Sequence, residues 1–394
     1  MSLGVLIFVL AILVVVMIHE AGHFLTAKLF NFKATQFFVG FGPTVWSFRR
    51  GETEYGLKAL PVGGFVKIVG MDPYAAVQEA DQARSYPNKP KWQRAIVIAA
   101  GSATHFFVAF VVLMVTAMTL GFPTGAVTNK VAGVERAIAG ARTPAASSVI
   151  RPGDVIVAVE GKPVAGWAGI RAYIRSHPGQ RVTFTLERGE SRVTAAVRLG
   201  RAAVGKGDRL LAYAPPGEPL EKPPGTRRVI GFLGVSPEPE YAREGFFGAA
   251  ASAARQTGQL TVLSVKGIGE VFSQVVNGDL WRALAGHGPR NPNDSPLGIV
   301  GAGRVAGESV AKGRYLDLIG LIVGFTVFVG LMNLLPLPPL DGGHLAVLVW
   351  EAATGRRADI RKLIPVATAV ISFFILLFLA VLYLDLARPV QIPF

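Results

Sequence analysis

The chain contains no cysteine, so no disulfide braces any part of it that faces an oxidising exterior. It is also poor in charge. Asp, Glu, Lys and Arg make up 17% of the 394 residues against 51% hydrophobic residues, and several apolar runs are long enough to cross about 30 Å of hydrocarbon. This is the composition of an integral membrane protein. No nucleic-acid-binding motif and no convincing internal repeat is present. The net charge of +14 therefore needs no nucleic-acid partner. Positive charge is missing from the start, Met1-Ser2-Leu3-Gly4. The run that follows is longer than the apolar core of a typical signal peptide, and basic residues come after it. That order reads as a retained anchor, not a cleaved signal.

Four runs stand out as spans: Leu3 to about Phe30, Ala95 to Phe122, Leu316 to Leu335, and Leu363 to Leu386. Ten basic residues, from Lys28 and Lys33 to Lys91 and Arg94, fall between the first two, which marks that segment as cytoplasmic. Arg356, Arg357, Arg361 and Lys362 put the link between spans three and four on the same side. Both termini are then extracytoplasmic, together with a polar, Gly- and Pro-rich stretch from about 123 to 313 that is large enough to fold alone.

Inside the first run lies His19-Glu20-Ala21-Gly22-His23. On a helix, histidines four apart project from one face and can share a zinc ion, with the intervening glutamate beside the water that such a metal activates. Standing alone, the string also reads as a chance pair of interfacial histidines. Depth argues for function: Leu3 through Ile18 is uncharged and covers about 24 Å of a core of about 30 Å. His19 then sits in the cytoplasmic third of the bilayer, where ionisable groups are functional by default.

A hydrolytic zinc keeps three protein ligands and one open position. The third is sought at the end of span three, in the stretch from Asn333 to His344 that contains Asn333-Leu334-Leu335-Pro336 and Leu340-Asp341-Gly342-Gly343. Spans one and three run in the same direction, so Asp341 and His19 reach similar depths. His344 is a rival ligand, placed second. The prolines prevent regular helix, and broken backbone at membrane depth is tolerated where it is buried in protein or lines a wet cavity. Without the histidine pair, Asp341-Gly342-Gly343 reads as a surface turn, and Asn333 as a polar residue satisfying the broken helix.

These motifs, with a PDZ-like pattern between spans two and three, resemble the site-2 protease family of intramembrane zinc metalloproteases, in particular regulator-of-sigma-E proteases of the actinobacterial type. The resemblance covers nearly the whole chain. It implies His19, His23 and Asp341 as zinc ligands and Glu20 as catalytic base. Asn333, Gly63 and Gly64 are expected to contact substrate or support the ligands, and His105, which lies in a stretch that departs from the family pattern, either replaces a usual polar contact there or packs near Thr104. In one respect the chain departs from the pattern: where relatives carry Gly-Pro followed shortly by Asn, it reads Gly101-Ser102-Ala103-Thr104-His105.

The fold expected is a polytopic α-helical membrane protein with four transmembrane helices, a cytoplasmic membrane-associated β-hairpin region and an extracytoplasmic PDZ-like α/β insert. In residues this gives a first span over 1–30, β hairpins within 31–93, a second span over 94–122, and a PDZ-like domain over 126–199. A linker and an amphipathic helix on the outer surface follow over 200–313, then a third span over 314–345 and a fourth over 363–386. Within the linker, 203–228 is rich in Gly, Pro and charge, and the helix is expected from Phe246 to about Val276. Ser295-Pro296-Leu297-Gly298-Ile299 resembles the family's loop before span three.

The expected activity is hydrolysis of single-pass membrane substrates, of the anti-sigma-factor or remnant-signal-peptide type, in a bacterial plasma membrane, with the active site near the cytoplasmic side. The expected partners are those substrates, the lipid bilayer and a peptide ligand of the PDZ-like domain. Two other classes compete. A non-catalytic PDZ scaffold with a vestigial metal site would be free to lose Glu20 or a histidine. A metal transporter would carry more polar groups across spans two and four.

Overall fold

The computed structural model describes residues 3–72, 75–138, 140–286 and 298–388. In chain order these begin with α1 (Leu3–Leu29), β1 (Ala34–Arg50), β2 (Thr53–Ile68) and α2 (Lys91–Thr119). Next come β3 (Phe122–Val134), the short pair β4 (Ala137–Ile138) and β5 (Ala141–Arg142), β6 (Val155–Val159), β7 (Lys162–Pro163) and α3 (Trp167–Ser176). Then follow β8 (Arg181–Arg188), β9 (Ser191–Arg198), β10 (Gly200–Val204), β11 (Leu210–Ala214), β12 (Arg228–Phe232) and β13 (Val235–Ala242). The remaining helices are α4 (Phe246–Val276), α5 (Asp279–Leu284), α6 (Ile299–Ala311), α7 (Tyr315–Asn333), α8 (Asp341–Thr354) and α9 (Ile364–Ala387). The chain divides into two compact units, Met1–Met118 with Glu244–Phe394, and Thr119–Arg243.

In the first unit α1, α2, α7 and the helix ending in α9 are long and apolar enough to cross a membrane. Small residues let backbones meet where spans cross, as membrane helix packing requires. A Cβ on Gly4 of α1 would stand 2.2 Å from the Ala306 carbonyl oxygen of α6, and one on Gly22 would stand 2.7 Å from that of Ala100 in α2. Phe8 packs with Ala302, Ala306 and Leu318 at one end of α1, and Ala27 with Phe32, Ile68, Tyr86, Val97 and Ile98 at the other.

The segment after α1 is one long, bent β ribbon. Residues 36–39 of β1 have partners on both sides, Lys67 to Gly64 and Glu54 to Leu57, so the two strands fold over each other. The charged turn at Glu52 returns to the end of α1, where Lys28 and Arg84 pair with the Glu52 carboxylate.

One span boundary differs from the sequence expectation. The second span was expected to reach Phe122, but α2 stops at Thr119, Gly121 takes φ +81°, and Phe122 opens β3. The third was expected over 314–345 with prolines interrupting its helix; α7 ends at Asn333 and Asp341 begins a separate helix, because Pro336, Pro338 and Pro339 have no N–H to continue the ladder. The elbow between them is tight: a Cβ on Gly342 would stand 2.2 Å from the carbonyl oxygens of both Leu334 and Leu335.

The second unit is built on an antiparallel sheet of order β13-β3-β6-β8-β9, with α3 contributing to its core. Val182, Phe184 and Leu186 alternate inward along β8 and meet Ile156, Ile170, Leu199 and Leu233. The stretch 203–228, expected as linker, is partly ordered: β10, β11 and β12 form a second sheet, and β13 returns to pair with β3. The folded unit is therefore wider than 126–199. Strands of only five residues, separated by Gly-, Pro- and charge-rich loops, are too short to be read from sequence alternation. Of the loop Ser295 to Ile299, residues 295–297 lie outside the described residues.

Candidate metal centre

His19 and His23 lie on one face of α1, and the elbow delivers Asp341 opposite them as the first residue of α8. Their nearest donor atoms form an almost equilateral triangle. His19 Nε2 is 3.1 Å from His23 Nε2, and Asp341 Oδ2 is 3.4 Å from each. Ligands about 2.0–2.1 Å from a tetrahedral zinc stand about 3.3 Å from one another. The donor set thus fits such an ion in both chemistry and spacing, with a fourth corner left for water or substrate. His344 lies one turn further along α8 and is not part of the cluster.

α2 orients all three groups. The His23 Nδ1–H donates to the Val97 carbonyl at 2.8 Å, which leaves Nε2 as the lone-pair nitrogen. His19 Nδ1 is 3.1 Å from His105 Nε2. For His19 Nε2 to face a metal, its Nδ1 must carry the proton and donate to His105. The proton of His105 then sits on Nδ1, a buried atom with no hydrogen-bond partner among the described residues. Ser102 Oγ donates to Asp341 Oδ2 at 3.3 Å.

This closeness needs glycine. A Cβ on Gly101 would stand 2.2 Å from His23 Nε2 and 2.8 Å from His19 Cε1, and one on Gly330 of α7 would stand 2.7 Å from His105 Cβ.

Glu20 projects toward the ribbon. The Val66 N–H of β2 donates to Glu20 Oε2 at 3.1 Å. Gly63 and Gly64 precede Val66 on the same strand. Gly63 has φ +107°, and a Cβ on Gly64 would stand 2.5 Å from Met17 Sδ, so this part of the strand lies hard against α1. Asn333 ends α7 at the near side of the elbow, and among the described residues no hydrogen bond joins it to the three candidate ligands.

The structure thus brings together His19, His23, Asp341 and His105, sets Glu20 against the strand of Gly63 and Gly64, and leaves Asn333 at the edge. Sequence reasoning missed Val97, Gly101 and Ser102. With Arg94 and His105 they recur at helical spacing and form the buried face of α2, a periodicity that marks the face without marking the bonds Val97 and Ser102 make from it.

Comparison with known proteins gives the family. The profile of the family described as Peptidase family M50 matches residues 7–379. The chain belongs to peptidase family M50. Zinc metalloprotease Rip1 of Mycobacterium tuberculosis is 32% identical over 99% of this chain and 98% of its own length. The protein of the same name in Mycolicibacterium smegmatis is 30% identical over 99% of both. Metalloprotease MmpA of Caulobacter vibrioides is 28% identical over 89% of this chain and 86% of its own. The M50 chain is accordingly a multi-pass membrane zinc metalloprotease of the kind that acts in regulated intramembrane proteolysis.

Proposed function

We propose that this protease cuts single-pass membrane proteins within or near the cytoplasmic leaflet, with His19, His23 and Asp341 holding zinc and Glu20 as general base. The observation that carries the reading is the triangle of three donor atoms beside a carboxylate already hydrogen-bonded to a strand. When bound, zinc supplies a Lewis acid that polarises the scissile carbonyl and lowers the pKa of a water toward about 7.

The chain's own groups do the rest. Glu20 takes the proton of the attacking water and passes it to the departing amide nitrogen, while the Val66 N–H holds its second oxygen in place. Val97 and His105 keep the two histidines in the tautomer that presents Nε2, and Ser102 steadies Asp341. A peptide bond in a helix is shielded by its own hydrogen bonds. The ribbon bearing Gly63 and Gly64 offers replacement partners to an unwound segment by strand addition, and Asn333, at the end of α7, is a further candidate contact for substrate.

The basic residues between α1 and α2 support a cytoplasmic ribbon, hence extracytoplasmic termini and an extracytoplasmic second unit. That unit, with its antiparallel sheet and α3, supports the PDZ-like reading. Its proposed roles are to bind a peptide and to admit only substrates whose bulky outer part has been removed. Anti-sigma factors and remnant signal peptides fit that description.

The test is cleavage of a trimmed single-pass reporter in detergent by the parent and by Glu20→Gln, with a chelator control. Cutting by the parent alone is expected, with a loss of about 10²–10⁴-fold in the variant. Equal cutting by both proteins removes Glu20 as the base. No cutting by zinc-loaded parent overturns the substrate assignment.

A further inference from the structure

Arg94 and Glu351 form an ion pair that the chemistry above does not use. Arg94 Nη1 donates to Glu351 Oε2 at 2.8 Å, with the side chains only 8% and 6% exposed. A buried pair offsets its desolvation only when the surrounding groups complete it. Here Glu351 Oε1 accepts the Ala358 N–H at 3.1 Å and the guanidinium lies 4.7 Å from the centre of the Tyr86 ring, while Arg94 Nε has no hydrogen-bond partner among the described residues; Lys91 Nζ adds a bond of 2.7 Å to the Glu351 backbone carbonyl.

The pair matters because of what its two helices carry. α2 supplies Val97, Ser102 and His105 to the centre, while α8 supplies Asp341, the one candidate ligand not on α1. Ser102 meets Asp341 at the start of α8 and Arg94 meets Glu351 near its end, so the two helices run in opposite senses and are fastened at two points. At 1.5 Å per residue those points lie about 12 Å apart on α2 and about 15 Å apart on α8. The elbow packs closely around the first turn of α8, where Gly342 and Gly343 sit against Leu334, Leu335 and Pro338, but it makes no contact with the end of α8 that carries Glu351.

We propose that Arg94 and Glu351 are positioning residues. They lock the far end of α8 to α2 and thereby hold Asp341 at ligand distance from His19 and His23, touching neither metal nor substrate themselves. The inference rests on Asp341 being a zinc ligand.

The test measures zinc affinity of the full-length protein in detergent by chelator competition, without substrate, alongside the melting temperature of the metal-free protein. The variants are Glu351→Gln, Arg94→Lys and the apolar pair Arg94→Met/Glu351→Leu. The apolar pair removes both charges together and so avoids leaving one buried alone. Zinc affinity is expected to fall about tenfold or more in Glu351→Gln and in the apolar pair, and less in Arg94→Lys. The apolar pair is expected to melt close to the parent. Parent-like zinc affinity in the variants that fold overturns the proposal. So does a loss of zinc no larger than the fraction of protein unfolded. His19→Ala, expected to bind no zinc at this site, confirms which site is read. Failure of the protease assignment would show separately, as zinc-loaded parent that leaves the reporter intact.

Discussion

Spans α2 and α9 are both apolar helices long enough to cross a bilayer, yet 39% of the most apolar window of α2 is buried inside the protein against 6% for α9. The buried face of α2 runs Arg94, Val97, Ile98, Gly101, Ser102, His105 and on to Ala109, with polar groups and a glycine at helical spacing. On α9 only Val381, Leu384 and Asp385 are buried, all at one end, where Asp385 Oδ2 accepts the Gly301 N–H at the start of α6. Apolar length alone therefore identifies a span and says nothing of its work. Polar and small residues recurring every three or four positions along one face show which span builds the site.

The sharpest way to break this contrast is to spoil the small residue that lets α2 approach. A valine at Gly101 places its Cβ 2.2 Å from His23 Nε2, and the ring has no route away without losing either Val97 or the metal. Misplacement by about 1 Å costs on the order of 10²-fold in rate, so Gly101→Val should lose at least that much cleavage and bind zinc below one equivalent. Metal analysis on protein that still elutes as a folded monodisperse peak checks this. Full zinc with full activity would mean that the crossing is looser than the structure gives.

A smaller loss is expected at His105. Removing the acceptor of the His19 proton in His105→Ala should weaken zinc binding by about 10–100-fold, within the range for groups that orient a metal ligand. His105→Asn keeps a side-chain oxygen that can accept the His19 proton, and should lose less than alanine does. Equal zinc affinity in all three proteins would reduce His105 to packing.

These residues also show what was legible beforehand and why. His19, Glu20 and His23 announce themselves because helix periodicity turns a sequence spacing into a shared face. Asp341 could be proposed because the prolines before it forbid a continuous helix. Ser102 and Val97 stayed hidden for different physical reasons. A serine in an apolar span commonly satisfies its own helix, and a backbone carbonyl is available to a side chain only when its helix crosses another closely enough, which no local pattern encodes. The strands β10 to β12 were missed because strands of five residues gain their stability from neighbours distant in sequence.

The ribbon that meets Glu20 is clasped at its turn, where Arg84 donates to both Glu52 oxygens at 2.6 and 2.8 Å and Lys28 adds a third bond. The Arg84 guanidinium foremost, and Lys28 with it, hold the Glu52 carboxyl down at about 2 from an ordinary 4.5. The sign follows: the clasp is fully present above about pH 4.5 and is lost as pH falls toward 2. The group is partly exposed and screened, so Glu52→Gln should cost no more than about 1 kcal/mol at neutral pH. Hydrogen exchange of residues 34–68 should rise modestly in the variant and in the parent on acidification. Unchanged exchange in both would mean that strand pairing alone holds the ribbon.

The smallest effect belongs on α9, where its absence is the informative result. Leu376 is 63% exposed in the structure and, in a bilayer, faces lipid tails as apolar as itself. Truncation to alanine there removes little that the protein holds, so Leu376→Ala should keep cleavage and zinc affinity within about twofold of the parent, as expected for changes away from packed or polar features. A pocket on a different face of α9, which Leu376 does not line, sharpens the test. Pro339 and Leu340, next to Asp341, line an apolar cavity of about 260 Å³ with Phe374 and Phe378 of α9. If Leu376→Ala cut the reporter tenfold more slowly while binding zinc normally, then α9 would be touching substrate on a face that burial marks as idle. Burial within the protein would then fail as the rule separating the working span from the anchoring one.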